Sequence, residues 1–181
     1  VATEFSLNLL GEFVVYRDME QLALPPSCRR LVALAALKPK PLNRNWVCEA
    51  LWPGSPPDRA VASLRSALWR LRPMGADALL TVRRQDISLA PHVWVDWREV
   101  TRLADLRATR GGVAEPALKA LLHNGELLEG WTDSWCTAER ERLRDLRHDV
   151  LSSATAPDRR QLPQHGFSPH VLHRVTDLRA P

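Results

Sequence analysis

Arg59, Ser63, Arg65, Ser66, Arg70 and Arg72 place guanidinium and hydroxyl groups along a stretch, 59–72, that contains no acid. Guanidinium forks and hydroxyls are the donors that hold phosphate oxygens and the acceptor-rich edge of guanine. The intervening apolar residues have helical spacing. At about 100° per residue, Val61, Leu64, Leu68 and Leu71 share one arc, with Ala60 and Ala67 at its flanks. Arg59, Ser63, Ser66 and Arg70 then fall on the far side, and Arg65, Trp69 and Arg72 along one shoulder. Such a helix is suited to lie against phosphates and base edges. Residues 139–149 provide the contrast, with four arginines against two glutamates and two aspartates, the salt-bridge-laced pattern of an exposed structural helix.

Composition limits how much weight the basic helix carries alone. Lysine occurs only at 38, 40 and 119, so arginine is favoured throughout the chain and a basic helix can arise from that bias. The neighbouring elements must decide. The 181 residues allow one domain and part of another, with 45% apolar residues to fill a core. A net charge of +4 leans toward polyanionic partners, and the stretch 58–84 alone holds six arginines against two aspartates. Cys28, Cys48 and Cys136 are odd in number and widely spaced in apolar or helical contexts, the pattern of reduced core thiols in a cytosolic protein. No apolar run approaches the ~20 residues of a membrane span and no signal peptide pattern opens the chain, so a cytoplasmic location without membrane contact is expected.

The elements that must position the basic helix follow from capping and periodicity. Residues 5–24 alternate in the manner of short strands, with turns near Gly11 and Asp18, and Pro25-Pro26 ends them. Ser27 is a candidate cap for a helix carrying Leu31, Leu34, Ala35 and Leu37 and stopping before Pro39. Asn43, with Leu42 before it and Val47 after it, opens a second helix through Leu51. Ser55-Pro56-Pro57-Asp58 launches the basic helix, expected over 55–72 and ended by Pro73 and Gly75. Residues 79–82 and 87–90 read as a hairpin joined by Arg83-Arg84-Gln85-Asp86. The order strands, three helices, hairpin is that of a winged helix-turn-helix with an added N-terminal antiparallel sheet, in which the third helix enters the major groove and the wing grips alongside. From Pro91 the pattern becomes all-helical: residues 93–97 lead into a helix with Val100, Leu103, Ala104 and Leu106, then come a Gly111-Gly112 break, a helix at 117–122 and a long one at 137–151. The tail 152–181, rich in proline and without periodicity, reads as disordered.

Residues 7–95 resemble the OmpR/PhoB-type winged-helix DNA-binding domain, in the version that opens SARP-like transcriptional regulators. The resemblance rests on Leu9-Leu10-Gly11, Arg29-Arg30-Leu31, Ala50-Leu51-Trp52-Pro53 and Leu64-Arg65-Ser66-Ala67-Leu68-Trp69-Arg70-Leu71-Arg72. Residues 96–151 resemble the start of the bacterial transcriptional activator domain, a tetratricopeptide-like all-α module. There it rests on Asn124-Gly125-Glu126-Leu127-Leu128-Glu129-Gly130-Trp131, Trp135 and Glu139-Arg140-Glu141-Arg142-Leu143. The helical pattern stops after one long helix, so the activator domain is partial, which bears on activation and dimerisation rather than on DNA contact. No receiver-like segment precedes residue 7, so control by aspartyl phosphorylation is not implied. The resemblance implies an activator of transcription bound to double-stranded DNA, with RNA polymerase and a second copy on direct repeats as further partners.

On this reading Arg59, Ser63, Ser66 and Arg70 are expected at base edges or nearby phosphates, and Arg65 and Arg72 as phosphate clamps. Arg83 and Arg84 are expected on backbone or in the minor groove. Trp69 is expected to pack against the wing or the N-terminal sheet rather than DNA, and Arg29 and Arg30 to be solvated. Enzyme function is not expected, because no glycine-rich phosphate loop, nucleophile elbow or helical zinc motif occurs. No cofactor or metal is expected either; His165, His170 and His173 lie in the proline-bearing tail without cysteine partners. The alternative is a protein-interaction module, a winged helix used for docking with 96–151 as partner site, whose binding would be insensitive to salt.

Overall fold

The computed structural model describes residues 4–110 and 115–153. Strands β1 (Phe5–Asn8), β2 (Val14–Arg17) and β3 (Glu20–Gln21) form an antiparallel meander with Leu7 opposite Val15. Alternation buries Phe5, Leu7 and Val15 on one face. The turn expected at Asp18 has both Asp18 and Met19 at positive φ, 50° and 70°, the geometry that matches the twist of paired strands. A strand that the sequence does not reveal, Trp94–Val95, pairs in parallel with the other edge of β1. The N-terminal sheet is therefore mixed rather than antiparallel, because two residues are too few for any periodicity to show.

Helix α1 (Pro26–Leu37) starts on proline, which needs no partner for a first-turn N–H; Ser27 lies inside the helix, and no side chain caps it. All of residues 31–37 are buried. A helix apolar on every side must be covered on every side, and α1 packs against the two helices that follow, the later hairpin and the segment after it. Strand β4 (Leu42–Asn43) precedes α2 (Arg44–Leu51), where the Asn43 side chain accepts hydrogen bonds from the N–H groups of Asn45 at 2.9 Å and Trp46 at 3.4 Å. That is the expected cap.

Helix α3 (Pro57–Leu71) begins on proline without a side-chain cap, and Ser55 is held in the preceding turn by donating its N–H to Trp52 at 3.1 Å. Its buried line is Ala60, Leu64, Ala67 and Leu71, with Val61 and Leu68 half-buried. The stripe is thus turned toward the alanines, because small residues let α1 approach: Cys28 Sγ donates to the Ala67 carbonyl at 3.3 Å. Two short 3-10 turns, Arg72–Met74 and Ala76–Leu79, lead to the hairpin of β5 (Leu80–Val82) and β6 (Asp86–Leu89). Its connection is Arg83-Arg84-Gln85, closed by Arg83 N–H to Asp86 O at 2.8 Å. Strand β4 pairs with the outer side of β6, giving a three-stranded sheet, and the Trp94–Val95 strand is β7.

Helices α4 (Asp96–Arg110), α5 (Glu115–Leu122) and α6 (Thr137–Ser153) follow. The Gly111-Gly112 break and residues 154–181, including the three tail histidines, lie outside the described residues. The later segment is locked onto the first sheet by backbone. Leu10 bridges Leu127, Gly11 N–H donates to Glu126 O at 2.7 Å, and Leu128 N–H donates to Leu9 O at 2.7 Å. Gly11 and Gly125 both have positive φ and touch: a Cβ on Gly125 would stand 2.9 Å from the Gly11 Cα. Buried Asp96 accepts from Leu9 and Leu10 N–H at 2.9 Å and from Trp97 N–H at 2.6 Å.

The charges of α6 are not the solvated lacing its sequence suggests. Arg140 donates to the carbonyls of Leu127 and Leu128, Arg147 to those of Leu122 and Gly125, and Glu139 pairs with Lys38 at 3.3 Å. The same residue types serve as tertiary clamps, since a guanidinium satisfies carbonyls at irregular turns as readily as it pairs along a helix.

Candidate functional site

Most of the described arginines fall into two groups, with exposed Arg110 and Arg144 in neither. One group binds the chain to itself. Arg98 caps the C-terminal end of α1 through the carbonyls of Ala35, Ala36 and Lys38 at 3.1, 3.0 and 2.9 Å, and burial lowers its pKa. Arg30 pairs with Asp133, Arg29 lies over the rings of Phe13 and Trp131 at 5.5 and 5.9 Å, and Arg107 pairs with Asp149 at 2.7 Å. Arg29 and Arg30, expected to be solvated, are thus engaged with the later segment.

The other group is gathered on α3, the first residue of α2 and the hairpin turn. Among the described residues, the side chains of Arg44, Arg59, Arg65, Arg70, Arg72, Arg83 and Arg84 take part in no ion pair or hydrogen bond. All but half-buried Arg44 are exposed. Ser66 is exposed and Ser63 half-buried. Between 43 and 86 these seven arginines face only Glu49, Asp58, Asp77 and Asp86. An unneutralised cluster of this kind leaves a positive field over its surface.

Local structure explains the gathering. The backbone N–H of Arg44 donates to Gln85 O at 2.9 Å, and Leu42 and Asn43 pair with Ile87 and Asp86. These bonds hold the start of α2 against the hairpin beside α3. Two hollows open between the three elements. One, of about 440 Å³, is lined by Arg44, Arg65 and Arg72 with Trp69, Leu80 and Val82. The other, of about 510 Å³, is lined by Asn43, Arg44, Asn45, Arg65, Arg84 and Gln85. Arg44 and Arg65 line both.

The structure therefore brings Arg65, Arg72 and Arg84 together around the hairpin. Arg59 lies in the first turn of α3, and Arg70 sits toward α1, where its charge opposes the burial that raises the Cys28 pKa. Trp69 departs from expectation. It is 65% exposed, in the last turn of α3 on the face opposite the buried line. Sequence reasoning passed over Arg44 as well, because α2 shows no basic stripe; a signal was available in its place directly after a capping asparagine. Cys28, Cys48 and Cys136 are free and buried, and burial pushes the Cys136 thiol up to about 11. Among the described residues no helix is long and apolar enough to cross a membrane.

No protein-family model matches the sequence, and no curated protein matches it. Among solved structures the chain is similar to Mycobacterium tuberculosis EmbR, determined in complex with a low-affinity phosphopeptide, with a TM-score of 0.53 and 19% identity. The likeness covers 84% of this chain and 42% of that one. The two share a fold, a mixed α/β arrangement of an N-terminal sheet and several helices. The chain spans less than half the length of EmbR, and the likeness extends beyond residues 1–95.

Proposed function

We propose that this chain is a sequence-specific, DNA-binding regulator of transcription of the SARP type, and an activator. Residues 1–95 act as an OmpR/PhoB-type winged helix and 96–151 as the opening of a tetratricopeptide-like activator domain. The observation that carries the reading is the concentration of seven unpaired arginines on α3, the start of α2 and the hairpin, while most arginines elsewhere among the described residues, Arg110 and Arg144 excepted, bond or stack within the fold. A basic face left uncompensated by its own chain has a polyanion as its natural complement.

In the proposed mechanism α3, about 22 Å long at 1.5 Å per residue, lies in the major groove. Arg59, Arg65, Ser66 and Arg70 are its candidates for base edges and adjacent phosphates, with Ser63 behind them. Arg44 and Arg72 hold phosphates, and Arg83 and Arg84 grip backbone or minor groove from the hairpin. Each phosphate neutralised steepens the salt dependence of log K by about 0.9. The role is non-catalytic, without cofactor or metal, and is exercised in the cytoplasm. A second copy on a direct repeat and RNA polymerase are the proposed partners of the bound form.

Selection of duplexes from a random pool by the full chain, followed by titration of the winning site at several salt concentrations, tests this. A single enriched motif is expected, with a log–log salt slope between about −3 and −6 for several phosphates neutralised. No enriched motif, together with salt-insensitive capture of a protein partner, would instead establish the docking module.

A further inference from the structure

We infer that Trp69 is a specificity-determining residue that recognises the C5-methyl group of a thymine in the major groove. The inference rests on the DNA-binding reading above. Trp69 is the large apolar side chain on the outward face of α3, in its last turn and opposite the buried line Ala60, Leu64, Ala67 and Leu71. Leaving an indole 65% exposed keeps a large apolar area in water. Nothing within the described residues covers it.

Its surroundings define what would. Arg44, Arg65, Arg72 and the carboxylate-bearing Asp77 line the 440 Å³ hollow with it, together with apolar Leu80 and Val82, and Val82 is itself 45% exposed. The site is an apolar spot framed by three guanidinium groups and one carboxylate. Guanidinium groups recognise guanine O6 and N7 or phosphate, and contribute nothing to an apolar group. On the floor of the major groove the one apolar group that distinguishes a base pair is the thymine methyl. An aromatic face in the last turn of α3, beside residues proposed to hold phosphates, is positioned to cover that methyl.

The test combines a protein variant with a DNA variant. In the duplex selected by the wild-type chain, each thymine is replaced in turn by deoxyuridine, which deletes the methyl and keeps every hydrogen bond. Affinity is measured for the wild type and for Trp69→Ala, an exposed substitution whose fold is checked by circular dichroism. One thymine is expected whose methyl loss weakens wild-type binding about fourfold, the worth of burying one methyl group. The same replacement should leave Trp69→Ala unaffected. A wild type that binds its selected site indifferently to every methyl, or a methyl effect that persists in Trp69→Ala, overturns the inference and leaves the regulator reading intact. A wild type that selects no site overturns both.

Discussion

Asp96→Ala is expected to destabilise the fold by about 3–5 kcal/mol, a large part of the total for a domain of this size. The carboxylate is 2% exposed and accepts hydrogen bonds from Leu9, Leu10 and Trp97 N–H. Alanine strips the acceptor from all three. Each buried N–H left without a partner costs about 1–3 kcal/mol, and the Trp97 donor, at the start of α4, contributes least because the first turn of a helix can be rehydrated. Asp96→Asn keeps the shape and one acceptor oxygen, so a smaller loss of about 1–3 kcal/mol is expected. Denaturant midpoints at constant m-value give both numbers. A shift below about 0.5 kcal/mol for the alanine variant, the range of ordinary surface substitutions, would mean that the contact between the first sheet and α4 is not held by this carboxylate.

The same residue sets a pH dependence. Burial pushes the Asp96 carboxyl above its ordinary value of 3.8, and the N–H groups of Leu10, Leu9 and Trp97 pull it partly back. With the folded pKa raised, the folded chain binds this proton more tightly than the unfolded chain. Asp96 therefore contributes most below pH 3.8, and its contribution declines as pH rises through the folded value, then stays level to neutrality. The stability difference between wild type and Asp96→Asn should shrink across that window. Growth of the difference with rising pH would reverse the assignment.

Arg65→Ala is expected to weaken binding to the selected duplex by about 1–3 kcal/mol, roughly five- to 150-fold. Arg65 is exposed, unpaired and common to both hollows beside the hairpin, which on the proposed reading places it against DNA over a range of α3 tilts. If it touches a base, preference relaxes at that position; if it touches a phosphate, the salt slope falls by about 0.9. Stability should move by less than about 0.5 kcal/mol, since the side chain holds nothing in the fold. Arg144→Ala is the control. Arg144 is likewise exposed, on α6 outside this cluster. Equal losses for the two variants would reduce the basic face to a matter of total charge.

Legibility in the sequence followed the length of the signal. Long periodic segments and side-chain caps were readable: Asn43 caps α2 as its type and neighbours indicate, and α3, α5 and α6 begin or end within about two residues of expectation. Two-residue strands were not, because β4 and β7 exist through partners elsewhere in the chain rather than through any pattern of their own. The caps expected from Ser27 and Ser55 gave way to the adjacent prolines, which fix φ and start the helix without a side-chain acceptor. At the site, the spacing marked Arg59, Ser66 and Arg70 as outward, and they are exposed, whereas Ser63 is half-buried and Trp69, expected on the shoulder, lies opposite the buried line. Which part of the outward face meets the hairpin depends on the rotation of α3 about its axis, and that is set by Ala60 and Ala67 packing closely on their neighbours, a tertiary effect that leucine spacing does not report. The partners of Arg30, Arg140 and Arg147 were equally invisible, since carbonyls at turns leave no mark in residue types.

Amide hydrogen exchange of the full chain, free and bound to the selected duplex, tests the central claim most directly. Binding is predicted to slow exchange over 57–72, over the hairpin 80–89 and at the first turn of α2, leaving 115–153 unchanged. Slowing confined to 115–153, with α3 and the hairpin exchanging as in the free chain, would contradict it.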